Sequence, residues 1–295
     1  MRVFVTGATG FIGSAVVPEL LKAGHQVLGL ARSDKSAEAL AAAGAAAHRG
    51  SLEDLDSLAR GAAAADGVIH LGFVHDFANY AAAAETDRRA IEALGEALAG
   101  TNRPLVTTSG LLGLGTPGRP ATEHDAPSPH SPRLSEAATH AQVAKGVRAS
   151  VVRLAPSVHG RGDYGFVPML INCARQKGVA VYGGDGSNRW PAVHRLDAAQ
   201  LFRLALEQGV AGASYHGTAE EGIPMRELMA VIGRHLGLPV AAKSPAEIAD
   251  YLGWIVPFAA LDAPSSSAFT QQQLGWHPSQ KGLLADLEEG YYFGG

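Results

Sequence analysis

The sequence predicts an α/β fold with a doubly wound parallel sheet and a smaller C-terminal lobe. Apolar strand-like runs alternate with helix-like stretches over residues 2–154, and a glycine-rich turn joins the first run to the first helix-like stretch. Continuous apolar strands separated by helices are typical of a parallel sheet that is covered on both faces. Right-handed crossovers between such strands place a ligand crevice at the carboxyl ends of the strands.

Six apolar runs are expected to form the strands of this sheet: 2–6, 26–30, 45–48, 67–72, 103–108 and 148–154. Five helix-like stretches lie between them: 11–23, 35–43, 54–64, 76–99 and 131–145. Several of these stretches are rich in alanine. We expect them to form helices that pack closely on the sheet, because alanine is the best helix former.

The pattern becomes irregular after about residue 160, where glycine-rich turns at 160–163 and 183–186 separate short elements. Helix-like segments follow at 196–208, 224–236, 245–252 and 282–289. We therefore expect residues 1–160 to form the sheet domain and residues 161–295 to form a smaller substrate-binding lobe. The segment 190–218 is expected to rejoin the sheet.

Composition excludes several classes of partner. The 24 Lys and Arg residues against 28 Asp and Glu residues give a net charge of -4, which offers no basic excess for nucleic acid or an anionic membrane. The one cysteine, Cys173, cannot form an internal disulfide, which fits a reducing compartment. No apolar run approaches the roughly 20 residues of a membrane helix, and Arg2 leads directly into a strand. We expect a soluble, cytoplasmic protein that acts on a small molecule.

The segment Thr6–Gly13 reads TGATGFIG and follows the first strand directly. Gly7 permits a tight turn, Gly10 lets the backbone approach a pyrophosphate, and Gly13 lets helix and strand pack closely. The free amides at the helix N-terminus then meet the negative phosphates. These residues predict a Rossmann dinucleotide-binding domain in which the intervening residues also contact the ligand: Thr9, Phe11 and Ile12.

The tip of the second strand indicates which dinucleotide is bound. An acidic residue there binds the ribose 2′-hydroxyl of NAD, but this chain has Arg32 and Ser33 instead. A guanidinium pairs with a 2′-phosphate, which a carboxylate would repel, so the sequence favours NADP(H). After the third strand, Asp54 is interpreted as a helix-start residue.

The TGxxGxxG segment resembles that of the extended short-chain dehydrogenases/reductases, which include epimerases, dehydratases and reductases. Further similar segments occur at 66–71, 153–160, 193–199 and 274–278, so the resemblance covers most of the chain. It implies that Ser51 and Leu52, after the third strand, touch the adenine, although the acid that the family usually has there is missing. It also implies cofactor contacts after the fourth, fifth and sixth strands: Leu71, Gly72, Phe73, Thr108, Pro156, Val158 and His159.

The resemblance also implies a catalytic centre, and here the chain departs from the family. The usual pattern is YxxxK with a Ser or Thr after the fifth strand, but residues 83–163 contain no tyrosine. Arg133 occupies the tyrosine position, and Lys145 has Ala141 four residues before it, so Lys145 is interpreted as a cation at a helix end. Ser109 matches the serine.

We therefore take Ser109, His130 and Arg133 as catalytic candidates. A histidine titrates near neutral pH and can pass a proton, whereas an arginine can stabilise an oxyanion. Structural roles remain open for each of them: a buried serine bonded to the backbone, a surface histidine and a salt-bridged arginine.

Four residues are expected to line the substrate pocket: His75, Tyr164, Trp190 and His194. A tryptophan more often belongs to the core, which is the alternative place for Trp190. The histidines lack compact ligand spacing, so we expect no metal site.

The function expected from these features is that of an NADP(H)-dependent oxidoreductase. It would transfer a hydride between nicotinamide and a carbonyl- or imine-type carbon of a small, fairly apolar substrate. Two alternatives remain open: an epimerase or dehydratase that uses the cofactor transiently, and a non-catalytic NADP(H)-binding sensor. The family resemblance also implies a homodimer through helices 76–99 and 131–145.

Overall fold

The protein is seen in a computed structural model that describes residues 1–76, 78–114, 118–128 and 131–294. Strands alternate with helices from the first residues onward, as the sequence predicts. The strands of the described residues are β1 (Arg2–Thr6), β2 (Gln26–Ala31), β3 (Ala46–Arg49), β4 (Gly67–His70), β5 (Pro104–Gly110), β6 (Arg148–Leu154), β7 (Ser157–His159), β8 (Ala180–Gly183), β9 (Arg189–His194), β10 (Ser214–Gly217), β11 (Glu220–Pro224) and β12 (Val240–Lys243).

The helices lie between these strands and continue to the C-terminus. Those of the described residues are α1 (Gly13–Lys22), α2 (Asp34–Ala42), α3 (Leu55–Ala63), α4 (Tyr80–Leu98), α5 (Ser135–Val143), α6 (Phe166–Lys177), α7 (Arg195–Gln208), α8 (Met225–Leu236), α9 (Pro245–Leu252), α10 (Val256–Ala259), α11 (Ala268–Leu274) and α12 (Leu283–Leu287). No helix in the part of the chain that the structure describes is long and apolar enough to span a membrane.

Seven strands form one sheet in the order β10-β6-β5-β4-β1-β2-β3, and every neighbouring pair is parallel. The direction of the strand order reverses at β1, which makes the sheet doubly wound and places the crevice beside this strand. The predicted fold class is therefore confirmed.

Side chains of β1 alternate between two apolar cores. Val3 and Val5 pack with α1 and α7 on one face of the sheet, and Phe4 packs with α3 and α4 on the other. All three are completely buried, as expected for a central strand covered on both sides. This packing holds the end of β1 and the turn that follows it in a fixed place.

Short polar side chains begin the two helices that follow β2 and β3. Ser33 caps α2 by accepting a hydrogen bond from the Ser36 amide, and Asp54 caps α3 by accepting one from the Ser57 amide. The interpretation of Asp54 as a helix-start residue is confirmed. Ser33 and Asp54 thereby fix where the chain leaves the sheet on the β2 side.

Helix α6 was missed in the sequence analysis, which treated the chain after residue 160 as irregular. Its buried face follows helical spacing: Val167, Leu170, Ile171 and Ala174. Glycine-rich turns on both sides and Pro168 near its start obscured this signal. Together with α8, these side chains form a second core, which contains Trp190.

The segment 190–218 contributes to both parts of the molecule. Strand β9 pairs with β7 and β11 in a three-stranded sheet, whereas α7 packs against α1 on the main sheet and β10 pairs with β6. Asp197 in the first turn of α7 accepts hydrogen bonds from the amides of Ser279 and Gln280, both at 3.0 Å. Trp276 donates from its indole to the Asp197 carbonyl.

The C-terminal tyrosines pack on the turn after β7. The Tyr292 hydroxyl donates to a carboxylate oxygen of Asp163 at 3.0 Å and accepts from the Gly160 amide at 3.0 Å. Burial raises the pKa of Asp163 to about 6, although the hydrogen bonds from Gly165 and Tyr292 favour its charged form. Asp163 thus titrates close to neutral pH.

We expect Asp197→Ala to lower the free energy of unfolding by about 2–4 kcal/mol, because the buried carboxylate is lost and two part-buried amides lose their acceptor. Urea denaturation measures the change. The control is Asp34→Ala, whose carboxylate is exposed and pairs with Arg49, and which should cost less than about 1 kcal/mol. Equal losses in the two variants would contradict this role of Asp197.

Asp163 is expected to make stability fall as the pH rises. The folded state holds its proton up to about pH 6, whereas the unfolded chain releases it near a pKa of about 3.9, so folding takes up a proton between these values. Relative to Asp163→Asn, which does not titrate, the wild-type chain should lose about 2 kcal/mol of unfolding free energy between pH 4 and pH 7. Urea denaturation across this range tests the prediction, and parallel pH profiles would refute it.

Candidate active site

The turn after β1 is built from close backbone contacts. Gly7 has a positive φ of 65°, and its carbonyl accepts a hydrogen bond from the Gly10 amide at 2.9 Å. A Cβ on Gly13 would lie 2.1 Å from the Gly7 oxygen, and one on Gly7 would lie 2.8 Å from the Gly72 nitrogen. A side chain on Gly7 would displace the turn from the end of β4, and one on Gly13 would displace α1 from the turn.

A cleft of about 660 Å³ opens at this edge of the sheet. This volume suits a cofactor together with a small ligand. Most of the residues that the sequence assigns to cofactor or substrate binding line it: Gly7, Thr9, Gly10, Phe11, Ile12, Gly13, Arg32, Ser51, Leu52, Leu71, Gly72, Phe73, His75, Pro156, Val158 and Tyr164. Sequence reasoning missed several other lining residues: Leu30, Ser36, Gly50, Asp163, Gly165, Phe166 and Met169.

The residues of the turn fit the phosphates of a dinucleotide. The N-terminus of the ten-residue helix α1 follows the turn, and its first turn carries no acidic residue. Its amides and the positive end of its dipole therefore face the cleft without a competing carboxylate. The adenosine half of a dinucleotide would then extend toward the ends of β2 and β3.

Arg32 lies at the end of β2, and its exposed side chain lines the cleft. It makes no hydrogen bond or ion pair with any residue that the structure describes, and Ser36 from α2 lies on the same wall. Ser33, the other predicted 2′-phosphate contact, uses its hydroxyl to cap α2. The free guanidinium of Arg32 is thus the main charged group on this side of the cleft.

On the opposite side of the turn, Arg133 stands beside the cleft. Its Nε donates to the Ser135 hydroxyl at 3.0 Å, and its Nη2 donates to the Thr108 carbonyl at 3.1 Å. Its guanidinium lies 4.5 Å from the centre of the Phe73 ring. Arg133 lies two residues before the start of α5, and its positive charge reaches the part of the cleft that lies after β4 and β5.

His75 lines the same part of the cleft, next to the Phe73 ring. Burial lowers the pKa of His75, and the positive charge of Arg133 lowers it further. The imidazole is therefore neutral near pH 7. A neutral ring donates one hydrogen bond and accepts another, so His75 can orient a polar group without adding charge.

Ser109 is 8% exposed near the end of β5, and its hydroxyl makes no hydrogen bond within the described residues. Thr107, two residues earlier on the same face, meets Thr139 of α5 at 2.7 Å, which directs this face of β5 toward α5. The Ser109 hydroxyl is thus available on the side of the strand from which Arg133 approaches. Thr108 instead donates to the His70 carbonyl at 2.9 Å.

Lys145 does not contribute to this arrangement. It follows the end of α5, and its ammonium pairs with Glu96 at 2.9 Å on the protein surface. The interpretation of Lys145 as a cation at a helix end fits this position. The remaining catalytic candidate, His130, lies outside the described residues.

The predicted substrate residues take different places. Tyr164 is 62% exposed and meets Phe11 edge to face at 6.0 Å between ring centres, so it lies over the glycine turn. Trp190 is only 1% exposed and donates to the Phe258 carbonyl, which places it in the core of the smaller lobe instead of on the cleft. Its neighbour Phe166 reaches the cleft in its place.

Two further histidines lie behind the cleft wall. His159 is 1% exposed and hydrogen-bonds Asp286 at 2.8 Å, so its ring is not open to a cofactor. His194 caps α7 and lies 5.2 Å from the His159 ring. Among the described residues, no group of three or more His, Cys, Asp or Glu side chains is arranged to hold a metal ion.

Two known proteins are similar to this chain in sequence. An uncharacterised protein of Schizosaccharomyces pombe is 52% identical over 295 residues, covering 99% of this chain and 100% of its own length. The 2-alkyl-3-oxoalkanoate reductase of Stenotrophomonas maltophilia is 32% identical over 262 residues, which are 83% of this chain and 78% of that protein.

The crystal structure of a dTDP-glucose 4,6-dehydratase from Streptomyces venezuelae, with NAD bound, superposes with a TM-score of 0.78. It is 21% identical, with 99% of this chain and 96% of that chain covered, so this likeness concerns the fold alone. Residues 3–217 match the sequence profile of the NAD-dependent epimerase/dehydratase family. With its doubly wound sheet, its glycine turn and reductases among its relatives, the chain belongs to this family of extended short-chain dehydrogenases/reductases.

Proposed function

We propose that this protein is an NADP(H)-dependent oxidoreductase that reduces a carbonyl- or imine-type carbon of a small, fairly apolar substrate. The observation that carries the proposal is the placement of two guanidinium groups on opposite sides of the glycine turn. Arg32 lines the cleft beyond β2, and Arg133 stands beside it beyond β4 and β5. Neither is paired with a carboxylate of the described residues.

The preference for NADP(H) rests on Arg32. A 2′-phosphate at the end of β2 would give this exposed guanidinium a partner of opposite charge, and Ser36 is near enough to the cleft to add a hydroxyl. NAD would leave Arg32 without such a partner. NADPH therefore gains binding free energy at a position where NADH gains none.

The opposite end of the cleft would bind the reacting oxygen of the substrate. When bound, the cofactor supplies the hydride. Arg133 and the Ser109 hydroxyl donate hydrogen bonds to the oxygen on which negative charge develops, and a guanidinium is suited to this role because it stays ionised. His130, three residues before Arg133, is proposed as the proton donor, and neutral His75 as a group that orients the substrate.

The proposed substrate class follows from the apolar side chains that line the cleft. Phe73, Phe166 and Met169 present rings and a thioether, while His75 and Arg133 supply the polar contacts. A 3-oxo acid with an alkyl chain combines these features, and a 2-alkyl-3-oxoalkanoate is the substrate in the name of a reductase that is 32% identical. We propose compounds of this type as the first to be assayed.

Two other functions would give different results in the same assay. An epimerase or dehydratase would purify with tightly held NAD and would release no oxidised cofactor during turnover. A sensor would bind NADPH without turnover on any carbonyl or imine compound.

The proposal also retains a homodimer through α4 and α5, whose exposed surfaces carry small side chains such as Ala82, Ala137 and Ala141.

We expect Arg32→Gln to weaken NADPH binding about 10- to 100-fold and to leave NADH binding unchanged, because one charge-assisted contact to the 2′-phosphate is lost. Fluorescence titration with each cofactor measures both dissociation constants. Arg60→Gln, which removes the same charge from the exposed surface of α3, is the control. Equal weakening for NADH and NADPH would contradict the assignment of Arg32.

We expect Arg133→Met to lower kcat/KM by about 10²- to 10³-fold, and Ser109→Ala by about tenfold, with the NADPH dissociation constant retained. Steady-state assays on the 3-oxo acid, together with cofactor titration, separate the two effects. Lys145→Met is the matched control, because this lysine pairs with Glu96 on the surface. The proposal fails if Lys145→Met abolishes turnover while Arg133→Met preserves it.

A further inference from the structure

A chain of buried hydrogen bonds begins beside the glycine turn and runs from β1 to β4 and on to α4. The Gly72 amide donates to the Thr6 hydroxyl at 3.1 Å, and this hydroxyl meets Nδ1 of His70 at 2.7 Å. The other ring nitrogen of His70, Nε2, lies 3.1 Å from Oδ1 of Asp87 on α4. Thr6, His70 and Asp87 are all at most 2% exposed, so water does not interrupt these contacts.

The chain continues from Asp87 to the candidate active site. The Ser135 hydroxyl donates to Oδ2 of Asp87 at 2.5 Å, and the Arg133 Nε donates to that same hydroxyl at 3.0 Å. Ser135 is completely buried at the start of α5. One carboxylate therefore connects the strand that carries the glycine turn with the guanidinium beside the cleft.

The direction of the donors follows from Asp87, whose carboxylate oxygens only accept. Nε2 of His70 therefore carries a proton and donates it to Asp87, as the Ser135 hydroxyl also does. In a ring with one proton Nδ1 is then an acceptor, so the Thr6 hydroxyl donates to it while its oxygen accepts from the Gly72 amide. Asp87 is the acceptor at which both branches end.

Asp87 is buried, and no Lys or Arg side chain of the described residues contacts it directly. A buried carboxylate is costly unless hydrogen bonds and an opposite charge compensate it. The guanidinium of Arg133, one hydroxyl away, supplies that charge. The attraction between Asp87 and Arg133 favours the hydrogen bond from Arg133 Nε to Ser135. The Nη1 atom of Arg133 makes no hydrogen bond within the described residues.

We propose that Asp87 is a positioning residue: acting through Ser135, it holds the Arg133 guanidinium so that its free Nη1 edge serves the substrate oxygen. Through His70 and Thr6, it holds this donor in register with the turn that binds the cofactor. The proposal rests on the proposed function of Arg133. An arginine loses rotamer freedom when its side chain is fixed, and this network fixes Arg133 before substrate binds.

Three variants test the network. Asp87→Asn removes the charge and keeps the shape, Ser135→Ala removes the bridging hydroxyl, and Glu85→Gln is the control. Glu85 lies on the same helix but pairs with Arg88 at the surface. The Nε–H signal of Arg133 in an NMR spectrum, assigned by its loss in Arg133→Lys, reports on the hydrogen bond to Ser135 without any assay of turnover.

We expect a slowly exchanging Arg133 Nε–H in the wild-type protein and in Glu85→Gln, and its loss in Asp87→Asn and Ser135→Ala. In the assay, Asp87→Asn should lower kcat about 10- to 100-fold with the NADPH dissociation constant retained. In an Arg133→Met background, Asp87→Asn should lower kcat no further, because its effect passes through Arg133. Thermal unfolding identifies a variant that fails to fold, and Ser135→Ala then provides the test.

Two results would overturn the proposal: a retained Nε–H signal with unchanged kcat in folded Asp87→Asn or Ser135→Ala, or fully additive effects of Asp87→Asn and Arg133→Met. Failure of the proposed function looks different. In that case the wild-type protein reduces no carbonyl or imine compound, while the Nε–H signal still depends on Asp87 and Ser135.

Discussion

The cleft depends on the contact between the glycine turn and the end of β4. The space between Gly7 and Gly72 admits no side-chain atom, and the space between Gly13 and the Gly7 carbonyl is narrower still. This contact fixes the position of the turn at the floor of the cleft. The N-terminal amides of α1 therefore face the cleft. The positions of Arg32 on one side and Phe73 on the other are defined relative to this turn.

Electrostatics separate the two halves of this cleft. The β2 side carries an exposed guanidinium, suited to a phosphate that remains partly in water. Beyond β4, the positive charge of Arg133 is half-buried against the Phe73 ring, where an electrostatic contact is stronger than it is in water. The proposed function thus gives cofactor binding and chemistry to two arginines in different surroundings, although the family resemblance predicts a tyrosine for the chemical step.

Local signals in the sequence predicted the sheet, the glycine turn and the place of Arg32 at the end of β2, because each depends on neighbours within a few residues. The Asp54 cap was predictable for the same reason. Contacts between distant segments were not. Asp163 meets Tyr292, which is 129 residues later, and Asp87 meets Ser135 across 48 residues. Nothing near Asp87 in the sequence distinguishes it from the surface acids of the same helix, and only the packing of α4 against α5 brings it to Ser135.

The contact between Phe166 and Trp190 connects the core of the smaller lobe to the wall of the cleft. Phe166 forms part of the cleft wall, yet its ring rests on an indole that belongs to the lobe core, 5.4 Å between ring centres. Close-packed interiors transmit changes in volume to their neighbours. A change of volume in that core would therefore alter the shape of the cleft through Phe166, without replacing any residue of the cleft wall.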